Sequence, residues 1–299
     1  MTVSVYVPAL LSLLLAAMSR MVAGRIAPAR TAAVVVAAGL CASAAAWGLV
    51  LLAATLLGNT ALAEQEASER GVQLQDPVPE FIGVASAALL VLGAVRLVRV
   101  VRSRRATGRE LRGICDACGH GELAVVAMDA PHAFAVPGKL GQPGRILVTR
   151  GLLSILDGDE RRVVLAHERA HLMRRHHWLR AATEICAAVI PVLIPVRTAV
   201  AYLVERSADE HAAAVTGSRE LVARALAKAA LAGAHPGPPG ALPFSGCDVS
   251  ARVAALRTGP PRPDPLVPGG VLALGLTTNI AAAQATIAFF QLIYWLWPT

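Results

Sequence analysis

The amino-acid sequence predicts a mainly α-helical membrane protein, in which four transmembrane helices accompany one cytosolic domain of mixed α and β structure. Three observations predict this class. The 299-residue chain is 55% hydrophobic and only 16% charged, a composition on the membrane side of globular usage. Four long segments are nearly free of charge. Between the third and fourth, short apolar runs alternate with turn residues and amphipathic stretches.

The four apolar segments are long enough to cross a bilayer as helices. They cover about residues 3–19, 31–57, 81–101 and 267–297. No Lys or Arg precedes the first segment, so we expect a retained helix there rather than a cleaved signal peptide. The predicted domains are three transmembrane helices within residues 1–106, a folded domain at 107–265 and a C-terminal transmembrane helix at 266–299.

The distribution of charge predicts a topology. A net charge of +8 could indicate nucleic-acid binding, but the arginines flank apolar segments instead of lining a face with aromatics. We therefore expect a lipid bilayer as partner and no direct nucleic-acid binding. Arginines follow the first and third segments, whereas the link at 64–80 is acidic. The positive-inside rule then places the folded domain in the cytoplasm, below a bacterial cell membrane. The aromatics Tyr294, Trp295 and Trp297 would lie at the opposite interface.

Within the folded domain, three short apolar runs are predicted to form strands, at residues 123–128, 132–136 and 145–149. Gly and Pro residues separate them, which indicates a small antiparallel sheet. Next, Asp157 and Glu160 have the spacing of a capping box that starts a helix. Further helices are expected at about 198–216, closed by Gly217, then at 218–232 and 249–256.

The helix that begins after Asp157 contains His167, Glu168 and His171 in the pattern HExxH. Histidines four residues apart lie on one helical face, so both imidazoles can bind the same metal ion. The Glu beside the first His can then act on water that the metal activates, which is the pattern of zinc metallopeptidases. The alternative, an exposed basic helix face, is less consistent with the cap and with the acidic helix that follows.

A zinc hydrolase needs a third protein ligand, and Glu205 is the best candidate. Asp209 lies one turn further on the same face and could hold the outer N–H of a zinc-bound His. A solvated helix face is the alternative for this pair. The segment 181–204 is apolar but contains Pro and charged residues, so it is either a core helical hairpin or a shallow membrane dip. A single crossing would separate the two halves of the site.

The remaining histidines and the cysteines of this region are not expected to bind the metal. At about 100° per residue, His176 and His177 point away from His171, and we expect them at the surface or an interface. By the same rotation His211 points away from Glu205, so a surface position is favoured over a role in stabilising an oxyanion from a bend. Cys115 and Cys118 form a lone CxxC pair, for which two ordinary thiols in a juxtamembrane loop are favoured over half a zinc knuckle or a redox pair. The five scattered cysteines suit a reducing compartment.

Four stretches of the chain resemble membrane metallopeptidases of family M56, the BlaR/MecR-like peptidases, which are related to the HtpX-like peptidases of family M48. They are HAFAVPG at 132–138, ILVTRGLL at 146–153, HERAHLMRRHH at 167–177 and ERSADEHAA at 205–213. The arrangement of three apolar segments before these stretches and one after them also resembles this family.

The resemblance implies a gluzincin-type zinc metalloendopeptidase that acts on protein or peptide substrates. It implies that His167, His171 and Glu205 bind Zn²⁺, that Glu168 is the general base and that Asp209 supports a ligand. By analogy, the strand formed by Ile146, Leu147, Val148 and Thr149 would be the sheet edge that receives substrate backbone.

The antibiotic-sensing members of family M56 carry an extracellular penicillin-binding module, for which this sequence has no Ser-x-x-Lys in a suitable position. A β-lactam sensor is therefore not expected. The alternative function is a BlaR-like membrane regulator that lacks the sensor module and cleaves a cytosolic winged-helix repressor.

Overall fold

The computed structural model describes residues 2–58, 69, 79–139, 141–232, 248–259, 264 and 266–296. These residues form a mainly helical protein with one small sheet. In chain order the helices and strands are α1 Thr2–Arg25, α2 Thr31–Gly58, α3 Glu80–Ala117, β1 Leu123–Val126, β2 Ala133–Val136, β3 Arg145–Thr149, α4 Arg150–Ile155, α5 Gly158–Met173, α6 His176–Val189, α7 Ile194–Thr216, α8 Arg219–Ala232, α9 Val249–Thr258 and α10 Leu266–Leu296. Short 3₁₀ turns at Pro28–Arg30 and Pro191–Leu193 precede α2 and α7.

Within the part of the chain that the structure describes, four helices are long and apolar enough to cross a membrane, as the sequence predicts. They span Tyr6–Arg25, Pro28–Leu56, Glu80–Ala117 and Leu266–Gln291. Most of the acidic link at 64–80 lies outside the described residues, as do the side chains of the aromatics predicted at the end of the fourth helix. Helix α3 is continuous to Ala117, so it passes without a break through the boundary predicted at residue 106 and enters the folded domain.

The segment 181–204 forms a helical hairpin. The end of α6 and the start of α7 are joined by the Pro191–Leu193 turn. Leu193, Val200 and Leu203 are buried in one apolar cluster with Leu15 and Val34 of the candidate membrane helices α1 and α2. Helix α7 therefore starts among the candidate membrane helices and continues from there into the folded domain.

The sheet is mixed, so the prediction of an antiparallel sheet is wrong. The strand order is β1-β3-β2, with β1 parallel and β2 antiparallel to β3. Burial explains the order. Ile146, Leu147 and Val148 of β3 are almost fully buried, whereas Leu123 and Val125 of β1 are exposed. The most buried strand takes the central position, where both of its edges are hydrogen-bonded.

The prediction that Ile146, Leu147, Val148 and Thr149 form a substrate-binding edge is therefore also wrong, because both edges of β3 are occupied. Thr149 has a structural role instead. Its hydroxyl oxygen accepts hydrogen bonds from the N–H of His132, at 2.9 Å, and from that of Leu152, at 3.3 Å, where it caps α4.

The free edge next to the candidate site belongs to β2. The N–H of Thr149 donates to the carbonyl of His132 at 3.0 Å, which makes these two residues a hydrogen-bonded antiparallel pair. Because such pairs alternate along the ladder, Ala133 and Ala135 direct their N–H and C=O groups away from β3. The backbone groups of β2 that do not pair with β3 are thus directed toward α5.

Helix α5 is held between this sheet and a layer of three helices. Val163 and Val164 of α5 pack in one core with Ala212 of α7, Leu226 of α8 and Leu256 of α9. At its start, the predicted capping box is present: the N–H of Glu160 donates to Asp157, and the N–H of Asp157 donates to Glu160. Gly217 ends α7 with a left-handed φ of 71°, as predicted for its C-cap.

Candidate active site

Helix α5 places the two histidines of the HExxH pattern side by side. The Nε2 atoms of His167 and His171 are 3.1 Å apart. His167 and Glu168 are buried, because the face of α5 that carries them packs into the domain together with Ala166 and Ala170. The capped first turn and this packing fix the direction in which the imidazoles point.

Helix α7 brings Glu205 to the same point. The Glu205 Oε2 atom lies 3.4 Å from His167 Nε2, and Oε1 lies 3.7 Å from His171 Nε2. One ligand atom from each residue lies within 4.8 Å of the others. Glu205 is buried, and among the described residues its Oε1 atom has no hydrogen-bond partner. Two imidazoles and a buried carboxylate with an unused oxygen fit a divalent metal such as zinc.

Asp209 lies behind His167, one turn after Glu205. Its Oδ1 atom is 3.0 Å from His167 Nδ1, so the Nδ1–H of His167 donates to this carboxylate and Nε2 is left to face Glu205 and His171. The structure therefore brings together all five residues that the sequence singled out: His167, Glu168, His171, Glu205 and Asp209.

Arg252 of α9 completes the cluster and was not predicted from the sequence. Its guanidinium donates to both oxygens of Asp209, at 2.8 and 2.6 Å, and its Nη1 atom lies 3.4 Å from Glu205 Oε2. Arg252 is fully buried. A signal was available: Val249, Arg252, Val253 and Leu256 share the apolar face of α9, and a buried cation on such a face requires an acidic partner.

His176 also belongs to the site, so the prediction that it lies at the surface or an interface, away from the candidate ligands, is wrong. Arg175 adopts a left-handed conformation with φ of 51°, so α5 ends at Met173 and a new helix starts at His176. The turn brings His176 back under the site, where it is buried and its Nδ1 atom lies 3.0 Å from Nδ1 of His171. The angular argument failed because it assumed one continuous helix.

His177, His211 and Cys115 were also expected to have no role in the site. His177 and His211 are half-buried, and His177 lines the cleft described below. Cys115 lies in the last turn of α3 rather than in a loop, and it is buried against Ala124 and Phe134. Its position in an apolar cluster indicates a packing role.

The three carboxylates of the site have different pKa values, because their burial is similar but their neighbouring charges differ. Burial raises the pKa of Glu168 to about 7, with a further rise from the charge of Glu205 and an opposing effect of His167. Burial also acts to raise the pKa of Glu205, but the charge of Arg252 and the hydrogen bond with His167 outweigh it and hold the pKa well below its usual range. For Asp209, Arg252 has the same effect. Glu205 and Asp209 therefore stay ionised, while Glu168 can exchange a proton near neutral pH.

The pKa values of the two histidines of the HExxH pattern also differ. Burial lowers the pKa of His167, but the carboxylates of Asp209 and Glu205 outweigh this effect and raise the pKa to about 9. For His171, burial dominates and holds the pKa well below its ordinary value. His171 therefore stays neutral, the form in which an imidazole binds a metal.

A cleft of about 210 Å³ opens over Glu168 and His171. One wall is β2, with Phe134 and Ala135, and the opposite wall consists of side chains from α3 and α6. The backbone N–H of Ala135 donates to Glu168, which agrees with the outward direction of this group on the free edge of β2. The cleft thus combines the candidate metal ligands, a buried carboxylate and an open strand edge.

Comparison with known proteins relates the central part of the chain to peptidase family M48. The model of this family matches residues 116–202, which include His167, Glu168 and His171 and end shortly before Glu205. A protease HtpX homolog of Pyrococcus furiosus is 36% identical over 72 residues, which are 24% of this chain and 25% of that protein. The homolog of Thermoplasma acidophilum is 44% identical over 73 residues, 24% of this chain and 22% of its own length.

A third relative, the protease HtpX homolog of Aquifex aeolicus, is 44% identical over 54 residues, 18% of either chain. The chain spans a quarter or less of the length of these relatives. No solved structure matches it. The similarity supports a membrane metalloprotease related to family M48, and the residues that the family model matches carry the HExxH pattern and the sheet.

Proposed function

We propose that the protein is an integral-membrane zinc metalloendopeptidase whose active site faces the cytoplasm. The observation that carries this proposal is the convergence of His167, His171 and Glu205 on one point with the buried Glu168 beside them. These three side chains would hold the zinc ion. Bound there, zinc would lower the pKa of water and polarise the carbonyl of the scissile peptide bond.

Glu168 is the proposed general base. With a pKa of about 7, its carboxylate can accept a proton from the attacking water and then donate that proton to the leaving amine. The hydrogen bond from the N–H of Ala135 holds Glu168 at the floor of the cleft. Asp209 and Arg252 hold His167 from behind, so that its Nε2 atom keeps its direction during the reaction.

The free edge of β2 is the proposed substrate-binding strand, in place of β3. An extended peptide placed along the accessible part of this edge, at Ala135, would pair with the outward C=O group of Ala135, as in β-augmentation. Ala133 is fully buried and lies beyond the reach of such a peptide. Ala135 and Glu168 both line the cleft, so such a peptide would pass directly over the catalytic carboxylate.

The cytoplasmic orientation and the location in the cell membrane rest on the arginines that follow the first and third apolar segments. Because α3 and α7 both run from the candidate membrane helices into the folded domain, the proposed site lies close to the membrane surface. Substrates near that surface are therefore the expected class.

Purified wild-type protein and the Glu168→Gln variant test the proposal. We expect about one zinc per chain in both proteins, measured by elemental analysis. Cleavage of a mixed peptide library should fall by about 10²–10⁴-fold in the variant, because the base is lost. Glu110→Gln, an exposed change on α3, is the control. Zinc binding without any cleavage by the wild type would instead indicate a structural metal site.

Cleavage of a cytosolic winged-helix repressor, which the resemblance to family M56 implies, is a narrower form of the same activity. Cells that contain the wild-type protein should then accumulate fragments of such a repressor, and cells with Glu168→Gln should not. The same comparative proteomics would instead find fragments of membrane proteins if the substrates are of that class.

A further inference from the structure

The wall of the cleft that faces β2 is rich in arginine. Helix α3 contributes one face to it, consisting of Arg104, Thr107, Gly108, Leu111 and Arg112, and α6 contributes His177 and Arg180. The spacing of the α3 residues, at i, i+3, i+4, i+7 and i+8, is that of a single helical face. Three guanidinium groups therefore line a cleft in which Glu168 is the one lining carboxylate among the described residues.

The arginines of α3 fall into two groups. Arg102, Arg105 and Arg109 are exposed and do not line the cleft, so they suit the headgroup region that follows a membrane helix. Arg104 and Arg112 are half-buried and face the site. A role at the membrane surface explains the first group but does not explain why two further arginines line the cleft that also contains Glu168.

Arg104 is already held by the protein. Its Nη1 atom lies 2.6 Å from Glu184 Oε2 of α6, and its Nη2 atom donates to the carbonyl of His177 at 3.2 Å. This guanidinium joins α3 to α6 and so fixes the shape of the cleft wall. Its charge is largely offset by Glu184, which makes it a poor partner for a substrate.

Arg112 differs from Arg104 in this respect. Among the residues that the structure describes, no carboxylate lies within ion-pair distance of its guanidinium. The side chain folds back along α3: a Cβ at Gly108 would lie 3.1 Å from its Nη1 atom. Gly108 therefore leaves room for the guanidinium to lie flat against the helix, inside the cleft and opposite the free edge of β2.

We propose that the cleft selects polypeptide substrates with an acidic side chain close to the scissile bond, and that Arg112 pairs with that carboxylate. This inference rests on the proposed peptidase function. A peptide that lies along β2 directs alternate side chains to opposite sides, so a position next to the scissile bond can face α3. A half-buried guanidinium presents two parallel N–H groups to a carboxylate, which gives both charge and geometric selectivity.

Pairs of fluorogenic peptides test this inference with the zinc-loaded full-length protein. The two peptides of a pair are identical except that one has Glu and the other Gln at a single position. Successive pairs place this position from about four residues before to about four residues after the cleaved bond. We expect one position at which the Glu peptide has a kcat/KM on the order of tenfold higher, the value for one charge-assisted hydrogen-bonded pair. In Arg112→Gln this ratio should fall to about one, and in Arg112→Glu a Lys peptide should become the better substrate.

Arg109→Gln is the matched control, because it removes the same charge from an exposed position on the same helix. It should keep the preference for Glu. Equal cleavage of Glu and Gln peptides at every position by the wild type, or an unchanged preference in Arg112→Gln, would overturn the inference while the peptidase function stands. If the wild-type protein cleaves no peptide at all, the proposed peptidase function itself is wrong.

Discussion

At the scale of single residues, the candidate site is a chain of contacts from α9 to the proposed metal ligands. Arg252 holds Asp209, and Asp209 holds His167. The same guanidinium lies close to Glu205, so it keeps two buried carboxylates ionised at once. Without it, the two buried negative charges would lie next to each other with His167 as the remaining cationic partner that contacts both.

Replacement of Arg252 by Met should therefore weaken both the fold and the metal site. Breaking a buried ion pair on one side costs about 3–5 kcal/mol, and loss of support behind a metal-binding His lowers metal affinity by about 10–100-fold. Chemical denaturation and chelator competition for zinc measure the two effects. Arg257→Met, an exposed change on the same helix, should leave both values unchanged; equal effects of the two variants would contradict the assigned role.

His176 makes a second contact of this kind, with Nδ1 of His171. His176→Phe keeps a ring in the buried position but removes the hydrogen bond that orients His171. We expect zinc affinity to fall by about tenfold, measured by chelator competition, with a smaller loss of thermal stability. His120→Phe, at an exposed position, is the comparison. A zinc affinity equal to that of the wild type would mean that His176 only fills space.

At the scale of helices and strands, the sequence predicted correctly those features whose interacting residues are close together in the chain. The capping box at Asp157 and Glu160 and the C-cap at Gly217 involve residues within one turn, and both were predicted. The break at Arg175 and the order of the strands were not. Both depend on packing partners distant in the sequence, since His176 turns back under His171 and β3 inserts between β1 and β2.

The capping box also predicts a dependence of stability on pH. Burial acts to raise the pKa of Glu160, but the ammonium of Lys228 at 2.7 Å and the N–H of Asp157 outweigh it, and the pKa is lowered from 4.5. A lowered folded-state pKa stabilises the protein above pH 4.5, and this contribution is lost as the pH falls through the folded-state pKa. Asp157 has a lowered pKa from its bond to the N–H of Glu160 and acts in the same direction.

Glu160→Gln should therefore destabilise the protein at pH 7 by about 1 kcal/mol, since Lys228 is half-exposed and its attraction is screened. The difference from the wild type should shrink as the pH falls below 4.5. Thermal unfolding of both proteins in detergent measures this difference, at about five pH values between roughly pH 3 and pH 7, which span the titration range of Glu. Glu220→Gln, exposed on α8, is the control, and a difference that grows toward low pH would show that the sign is wrong.

At the scale of the whole molecule, α7 connects the membrane helices to the site. Its first half packs against α1 and α2, and its second half carries Glu205 and Asp209. A metal ion bound between α5 and α7 would link the two helices that contribute the ligands. The stability of the folded domain is therefore expected to depend on the metal.

Removal of zinc by a chelator should lower the melting temperature of the wild-type protein. A ligand present at about 100 times its Kd adds about 2.7 kcal/mol to the folded state, which corresponds to several degrees for a chain of this size. Glu168→Gln should show the same decrease, because Glu168 is not a proposed ligand. Glu205→Ala should show none. A melting temperature that does not respond to zinc in the wild type would contradict a metal bound to all three residues.

The sequence by itself determined the four apolar helices, the HExxH helix with its cap, and Glu205 with Asp209 as the partners of that helix. Each of these follows from periodicity, charge or spacing along one helix, so the information is local. Only the tertiary structure decided that β2 presents the free edge, that His176 supports His171, and that Arg252 holds Asp209 across 43 positions of the chain. Those choices depend on which surfaces are buried against each other, and burial is a property of the packed molecule.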